Sequence, residues 1–149
     1  MLSSIEGYYS IVWAYDAFDE SDHWKVYNPY GMLWANDLDA INSTIGFWIK
    51  MNITKNLINN GSLVLTDVAL KEGWNLVGYP ALNARDVENA LSSINSNCSI
   101  VWAYLANDTS DPWKMYSPEG LPWANDLTHV IPKFGYWIRA SNDTTWTIG

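Results

Sequence analysis

Several things are scarce in this sequence, and each scarcity closes a class of function. There is one cysteine in 149 residues, Cys98, so an internal disulfide framework is excluded and no Cys-x-x-Cys pair offers a metal or redox motif. Cys98 reads as a small side chain half-buried at a strand start rather than as a reactive thiol. Basic residues are few, eight against sixteen acidic, for a formal net charge of −8. A surface of that sign with no basic stripe repels phosphate backbones, which argues against nucleic acid as a partner. No apolar run approaches the roughly 18 residues of a membrane helix, so direct membrane insertion is not expected. Met1-Leu2-Ser3-Ser4 lacks the basic start and apolar stretch of a secretory leader. Phenylalanine is also scarce, three against ten Trp and nine Tyr. That choice favours aromatics that join a large apolar body to a polar edge, which suits shallow cores and interfaces.

What is present is a cassette, and it is present twice. Trp13-Ala14-Tyr15, Trp24-Lys25, Pro29, Gly31, Asn36-Asp37-Leu38 and Trp48-Ile49 recur as Trp102-Ala103-Tyr104, Trp113-Lys114, Pro118, Gly120, Asn125-Asp126-Leu127 and Trp137-Ile138, each 89 positions on, with no insertion or deletion. Self-similarity at a fixed period marks a folding unit that has been reused. Leu2-Ser3-Ser4-Ile5 likewise matches Leu91-Ser92-Ser93-Ile94, which reads as the last turn of a helix. The expected division is a first copy over residues 1–60, truncated at its start, and a complete second copy over 61–149. A chain that opens in mid-module is expected to be a fragment of a longer secreted one. Two arrangements complete the first copy: the copies pack as one pseudosymmetric domain sharing the middle strands, or the first accepts a strand from another chain.

Local patterning gives a mainly β fold of two pseudo-repeated antiparallel β units, with one short amphipathic helix at about 84–94 and short helical turns. Tyr9 to Tyr15 alternates Ile11, Trp13 and Tyr15 against Val12 and Ala14, a strand covered on both sides. Trp24–Tyr27, Gly46–Lys50, Ser62–Thr66, Trp74–Pro80 and Thr145–Ile148 read as further strands. Asn28-Pro29-Tyr30-Gly31 is turn chemistry, and Asn36 or Asp37 is expected to cap one helical turn carrying Leu38 and Ile41 inward. Val87, Ala90, Leu91 and Ile94 follow helical spacing, with Asn83 and Asp86 as a capping pair.

The run Gly73-Trp74-Asn75-Leu76-Val77-Gly78-Tyr79-Pro80, followed by Val101-Trp102-Ala103-Tyr104, Asp111-Pro112-Trp113-Lys114-Met115-Tyr116, Asn125-Asp126-Leu127 and Gly135-Tyr136-Trp137-Ile138, resembles tandem repeat modules of secreted archaeal and bacterial cell-surface proteins. The resemblance covers nearly the whole chain. It implies an extracellular, surface-layer-associated location and carries over no catalytic residue.

Four candidate chemistries stand beside plainer readings. Asp16, Asp19, Glu20 and Asp22, with Asp108 and Asp111 in the second copy, offer carboxylate oxygens to Ca²⁺, so Asp19, Asp22, Asp108 and Asp111 are the candidate metal ligands. Leu105 and Thr109 replace Asp16 and Glu20 in the second copy, and the plain reading is a solvated loop with Asx turns. Carboxylate pairs also permit glycoside hydrolysis, but His23 matches Pro112 and His129 matches Ala40, so no acid–base set is duplicated. Trp24, Trp34, Trp48, Trp113, Trp123 and Trp137, with Lys25, Lys50, Lys114 and Arg139 as donors, form candidate carbohydrate platforms. The plain reading makes these indoles the packing of small domains without disulfides. Asn42, Asn52, Asn60, Asn97, Asn107 and Asn142 lie in Asn-x-Ser/Thr acceptor sequences for glycosylation. The functional expectation is a non-catalytic extracellular structural or adhesive repeat module whose partners are neighbouring modules, surface-layer components or glycans; the alternative is a carbohydrate-binding module.

Overall fold

The computed structural model describes residues 1–61 and 64–149. The first copy contributes β1 (Tyr9–Tyr15), β2 (Trp24–Tyr27) and β3 (Phe47–Met51). The second contributes β4 (Val68–Leu70), β5 (Gly73–Gly78), β6 (Arg85–Asp86), α1 (Val87–Ala90), β7 (Cys98–Tyr104), β8 (Trp113–Tyr116), β9 (His129–Val130), β10 (Gly135–Ala140) and β11 (Thr144–Trp146). One sheet has the order β2-β1-β3 and the other β5-β10-β7-β8, with β11-β4 and β6-β9 as two-stranded pairs. The fold is thus mainly β, antiparallel in every named strand pair.

The repeat extends to single bonds. Both central strands carry a bulge, at Ser10 and at Ser99, where the hydroxyls donate to Lys50 O and Arg139 O. Asp37 Oδ1 accepts the Val26 amide at 2.6 Å, and Asp126 Oδ1 accepts the Met115 amide at 2.6 Å. The Asn36 side chain accepts from Asn28 N at 2.8 Å and donates to Asn28 O at 3.1 Å, and Asn125 does the same to Ser117 at 2.9 and 3.1 Å. Each amide thus closes a turn by standing in for a backbone partner. The expected helical turn after these residues is absent. Leu33–Ala35 and Pro122–Ala124 are 3-10 turns that end at Asn36 and Asn125, because the Asp37 and Leu38 amides bond back to Val26 O and hold the chain extended.

The helix is also shorter than its spacing suggests. Arg85 and Asp86 pair with Val130 and His129, so α1 starts only at Val87, with the Asp86 carboxylate accepting the Glu88 amide; after Leu91 a 3-10 segment runs Ser92–Asn97. Asp86 caps the helix, and no cap bond comes from Asn83. The periodic residues Val87, Ala90, Leu91 and Ile94 are nevertheless all buried, so the helical stripe covers the sheet as expected. Of the strand expected over 62–66, residues 62 and 63 lie outside the described residues, and Val64–Thr66 is irregular.

The two copies meet backbone to backbone. Gly46 N donates to Leu76 O at 3.2 Å, Gly78 N donates to Thr44 O at 2.9 Å, and Ile45 bridges Val77. β5 is therefore bonded on one side to β10 and on the other to Thr44–Gly46, the residues just ahead of β3. A Cβ on Gly78 would lie 2.5 Å from Ser43 O, and one on Gly46 would lie 2.8 Å from Val77 O. Both obstacles are backbone, so neither can swing aside. Gly78→Ala is expected to cost about 1–3 kcal/mol by forcing the copies apart; a urea midpoint equal to that of the parent chain would contradict so close a junction.

Candidate functional site

Along β1 the side chains of Trp13 and Tyr15 share one sheet face, as do those of Trp102 and Tyr104 along β7, and pairing adds Trp48 opposite Trp13 and Trp137 opposite Trp102. Trp24 and Trp113 join the same faces opposite Tyr15 and Tyr104. These two aromatic faces lie against each other. Tyr15 meets Trp137 at 5.2 Å between ring centres, and its counterpart Tyr104 meets Trp48 at 5.2 Å. Trp24 meets Trp137 at 5.9 Å, and Trp113 meets Trp48 at 5.5 Å. Within each copy, Tyr15–Trp24 and Tyr104–Trp113 are edge contacts at 5.3 and 5.1 Å. The matched contacts relate the copies by a local twofold. Tilted and edge geometries at these separations are favourable for aromatic quadrupoles.

The layer therefore gathers Trp24, Trp48, Trp113 and Trp137 of the expected platforms; Lys50 and Arg139, two residues on from Trp48 and Trp137, share their sheet faces and are exposed, whereas the rest of that set lies elsewhere. Trp34 and Trp123 project from the 3-10 turns, 83% and 82% exposed. Lys25 and Lys114 are adjacent in sequence to Trp24 and Trp113 and so belong to the opposite sheet faces. Trp48 and Trp137 are half-buried members of the layer between the copies. The layer also includes Tyr15, Tyr104 and Trp74, the last in edge contact with Trp137 at 6.2 Å. The two tyrosines were legible in the alternation with Trp13 and Trp102; Trp74 was not, since the first copy has no counterpart to it. One side of the layer stays open, as an apolar cleft of about 400 Å³ lined by Trp13, Trp24 and Trp48.

The acidic loops are closed structures. Asp19 Oδ1 accepts from Ser21 N, Ser21 Oγ and Asp22 N at 3.1, 2.7 and 3.2 Å, while Oδ2 takes the Lys25 ammonium at 2.7 Å. Asp108 repeats this with Ser110 N, Ser110 Oγ and Asp111 N at 3.2, 2.8 and 3.1 Å, and with Lys114 at 3.2 Å. Asp22 and Asp111 stand 3.6 and 3.0 Å from the same two ammonium groups. The place between the carboxylates that a calcium ion needs is held by a lysine in both copies. Among the described residues, no group of three or more His, Cys, Asp or Glu is gathered to hold a metal.

These bonds set the acid titration. The Lys25 ammonium and the Ser21 hydroxyl hold the Asp19 carboxyl well below its ordinary range; the Ser110 hydroxyl, the Asp111 amide and Lys114 bring Asp108 down to about 2. A carboxyl whose folded value is depressed contributes stability above its unfolded value, and that contribution is lost as pH falls through the folded one. The melting temperature is therefore expected to drop between about pH 4 and pH 2. An Asp19→Asn/Asp108→Asn double variant should show a shallower fall, and an identical fall would contradict the assignment.

The other reactive groups are occupied. His23 Nδ1 lies 2.9 Å from Asp16 O and its ring stacks on Tyr15, while His129 contacts Thr128 Oγ1. Burial pushes the Cys98 thiol up to about 11, so it stays protonated at neutral pH. Of the six acceptor asparagines, Asn42, Asn52, Asn60, Asn107 and Asn142 are exposed and Asn97 is half-buried. No helix among the described residues is long and apolar enough to cross a membrane.

Comparison with protein-family models, with curated proteins and with solved structures finds no match to this chain. The resemblance to surface-protein repeats rests on the motif residues alone.

Proposed function

We propose that the chain is a non-catalytic structural or adhesive repeat module of an extracellular cell-surface protein, of the kind associated with archaeal or bacterial surface layers. One observation carries this reading: the aromatic residues duplicated between the copies are used to join the copies, through Tyr15–Trp137 and Tyr104–Trp48. The duplicated polar residues close turns at Asn36 and Asn125 and loops at Asp19 and Asp108. A repeated unit whose repeated residues build the unit is suited to bearing structure and joining neighbours. Acidic composition and exposed acceptor asparagines fit an extracellular setting. The partners in this reading are neighbouring repeat modules and surface-layer components.

A carbohydrate-binding reading is favoured by the open cleft at Trp13, Trp24 and Trp48 and by the exposed pair Trp34 and Trp123, since flat indole faces stack on sugar rings. A glycan array probed with the intact chain separates the two. The structural reading expects no saturable binding. A hit lost on Trp24→Ala or Trp34→Ala, with the fold retained, would transfer the function to glycan recognition. Hydrolysis of a glycan or peptide abolished by Asp22→Asn or Asp111→Asn would contradict the non-catalytic reading.

A further inference from the structure

The two copies share a framework but not a cover. Ile5, Tyr9, Val12 and Ala14 are as buried as their matches Ile94, Cys98, Val101 and Ala103. The outer residues differ. Leu38, Ile41, Phe47 and Ile49 are half-buried, whereas Leu127, Val130, Tyr136 and Ile138 are 0–5% exposed. The side chains that make this difference belong to residues 68–90: Val68 and Leu70 of β4, Val77 of β5, Tyr79, and Val87 and Ala90 of α1 all lie in the second copy's core. The first copy's own cluster contains no equivalent of them.

The chain beyond β3 is already laid out to receive such a cover. Asn52 N donates to Tyr8 O as Ser141 N donates to Asn97 O, both at 2.8 Å. Ile58 N donates to Ser4 Oγ at 2.9 Å as Thr147 N donates to Ser93 Oγ at 3.0 Å. Residues 55–57 therefore lie where β11 lies in the second copy. There β11 pairs with β4 and its Trp146 is fully buried; in the first copy no strand is formed and the matching Leu57 is 42% exposed.

We propose that the open face of the first copy is a docking site for a segment built like Val68–Ala90, supplied by a neighbouring repeat. The β4-like part adds to Lys55–Leu57 as a strand, and the α1-like part covers Leu38, Ile41 and Ile49. Main-chain pairing supplies the register and the apolar stripe supplies the selectivity. Gly46 keeps its bond to Leu76, so any strand added along β3 begins beyond it. Thr54 stands where the second copy has Asp143, whose carboxylate clasps Lys71 at 2.8 Å; the docked segment is held without that clasp. The inference needs only the repeat geometry and stands whether or not the module is extracellular.

The test extends the full chain, placing a second copy of residues 64–90 directly ahead of Leu2, the spacing this segment has ahead of Leu91. A second chain carries the same extension in shuffled order. Tethering raises the effective concentration of the segment at the face. Hydrogen exchange at Ile49, Met51 and Leu57 is expected to slow about tenfold or more relative to the shuffled chain, with Tyr136–Ile138 as the internal reference for an intact second copy. Equal exchange in the two extended chains would overturn the proposal. So would a concentration-dependent dimer of the 149-residue chain abolished by Leu57→Asp, at a position already exposed, because that result assigns the face to a second copy of the chain.

Discussion

Trp146→Ala is expected to lower the stability of the second copy by about 3–5 kcal/mol, the range for deleting a large side chain from a closed core. Trp146 is completely buried, its indole N–H donates to Ala90 O at 2.6 Å, and its ring stacks on Tyr79 at 5.3 Å. Truncation leaves a cavity between α1 and the β4–β11 pair and orphans a helix carbonyl, and a buried acceptor left without its partner adds its own penalty. The matched residue of the first copy gives the contrast. Leu57 is 42% exposed with no strand beside it, so Leu57→Ala is expected to stay within about 0.5 kcal/mol of the parent chain. Urea unfolding of the two variants checks both values. Similar losses from both would mean that the first copy is covered as the second is.

Trp137→Ala carries the second large effect, through the junction between copies rather than through a core. Its indole touches Tyr15, Trp24 and Trp74 at 5.2, 5.9 and 6.2 Å between ring centres. Each aromatic pair contributes about 0.5–1.5 kcal/mol beyond the area it buries, and the side chain is half-buried, so a loss of about 3 kcal/mol is expected. For a chain of this size that corresponds to a fall of about 10 °C in melting temperature. Trp34→Ala and Trp123→Ala, at indoles more than four-fifths exposed, are expected within about 0.5 kcal/mol of the parent. A thermal melt of the three variants separates joining tryptophans from projecting ones. Equal losses would remove the distinction drawn between the two sets.

Much of the framework was legible in the sequence because it depends on local period. The alternation of Trp13 and Tyr15 against Val12 and Ala14 defines β1 and its two faces, and a constant spacing transfers that reading to β7. The helical stripe Val87-Ala90-Leu91-Ile94 is buried as its spacing requires, but its length was not legible. Arg85 and Asp86 are drawn into pairing with Val130 and His129, more than forty residues away, and no local propensity reports such a contact. Asn36 and Asp37 misled for a related reason: their side chains satisfy backbone groups of Asn28, just after β2, and of Val26 in β2, an alternative to capping that the same residue types serve equally well. The candidate platforms divided on a point that composition cannot express. Trp24 and Lys25 are neighbours in sequence, yet strand geometry sends them to opposite faces, so the indoles joined the other copy while the lysine closed the Asp19 loop. Asn75, 2% exposed and bonded to Lys71 N and Lys71 O, gave no sequence signal beyond its place in the motif.

The aromatic layer between the copies is the feature from which the structural reading follows, and a side-chain nuclear Overhauser spectrum of the intact chain tests it most directly. Cross-peaks between the ring protons of Tyr15 and Trp137, and between those of Tyr104 and Trp48, are the expected result, as their ring centres stand 5.2 Å apart in both pairs. Tyr15–Trp24 and Tyr104–Trp113 cross-peaks without either of the cross-copy pairs would show two units that fold separately with open aromatic faces, and would contradict it.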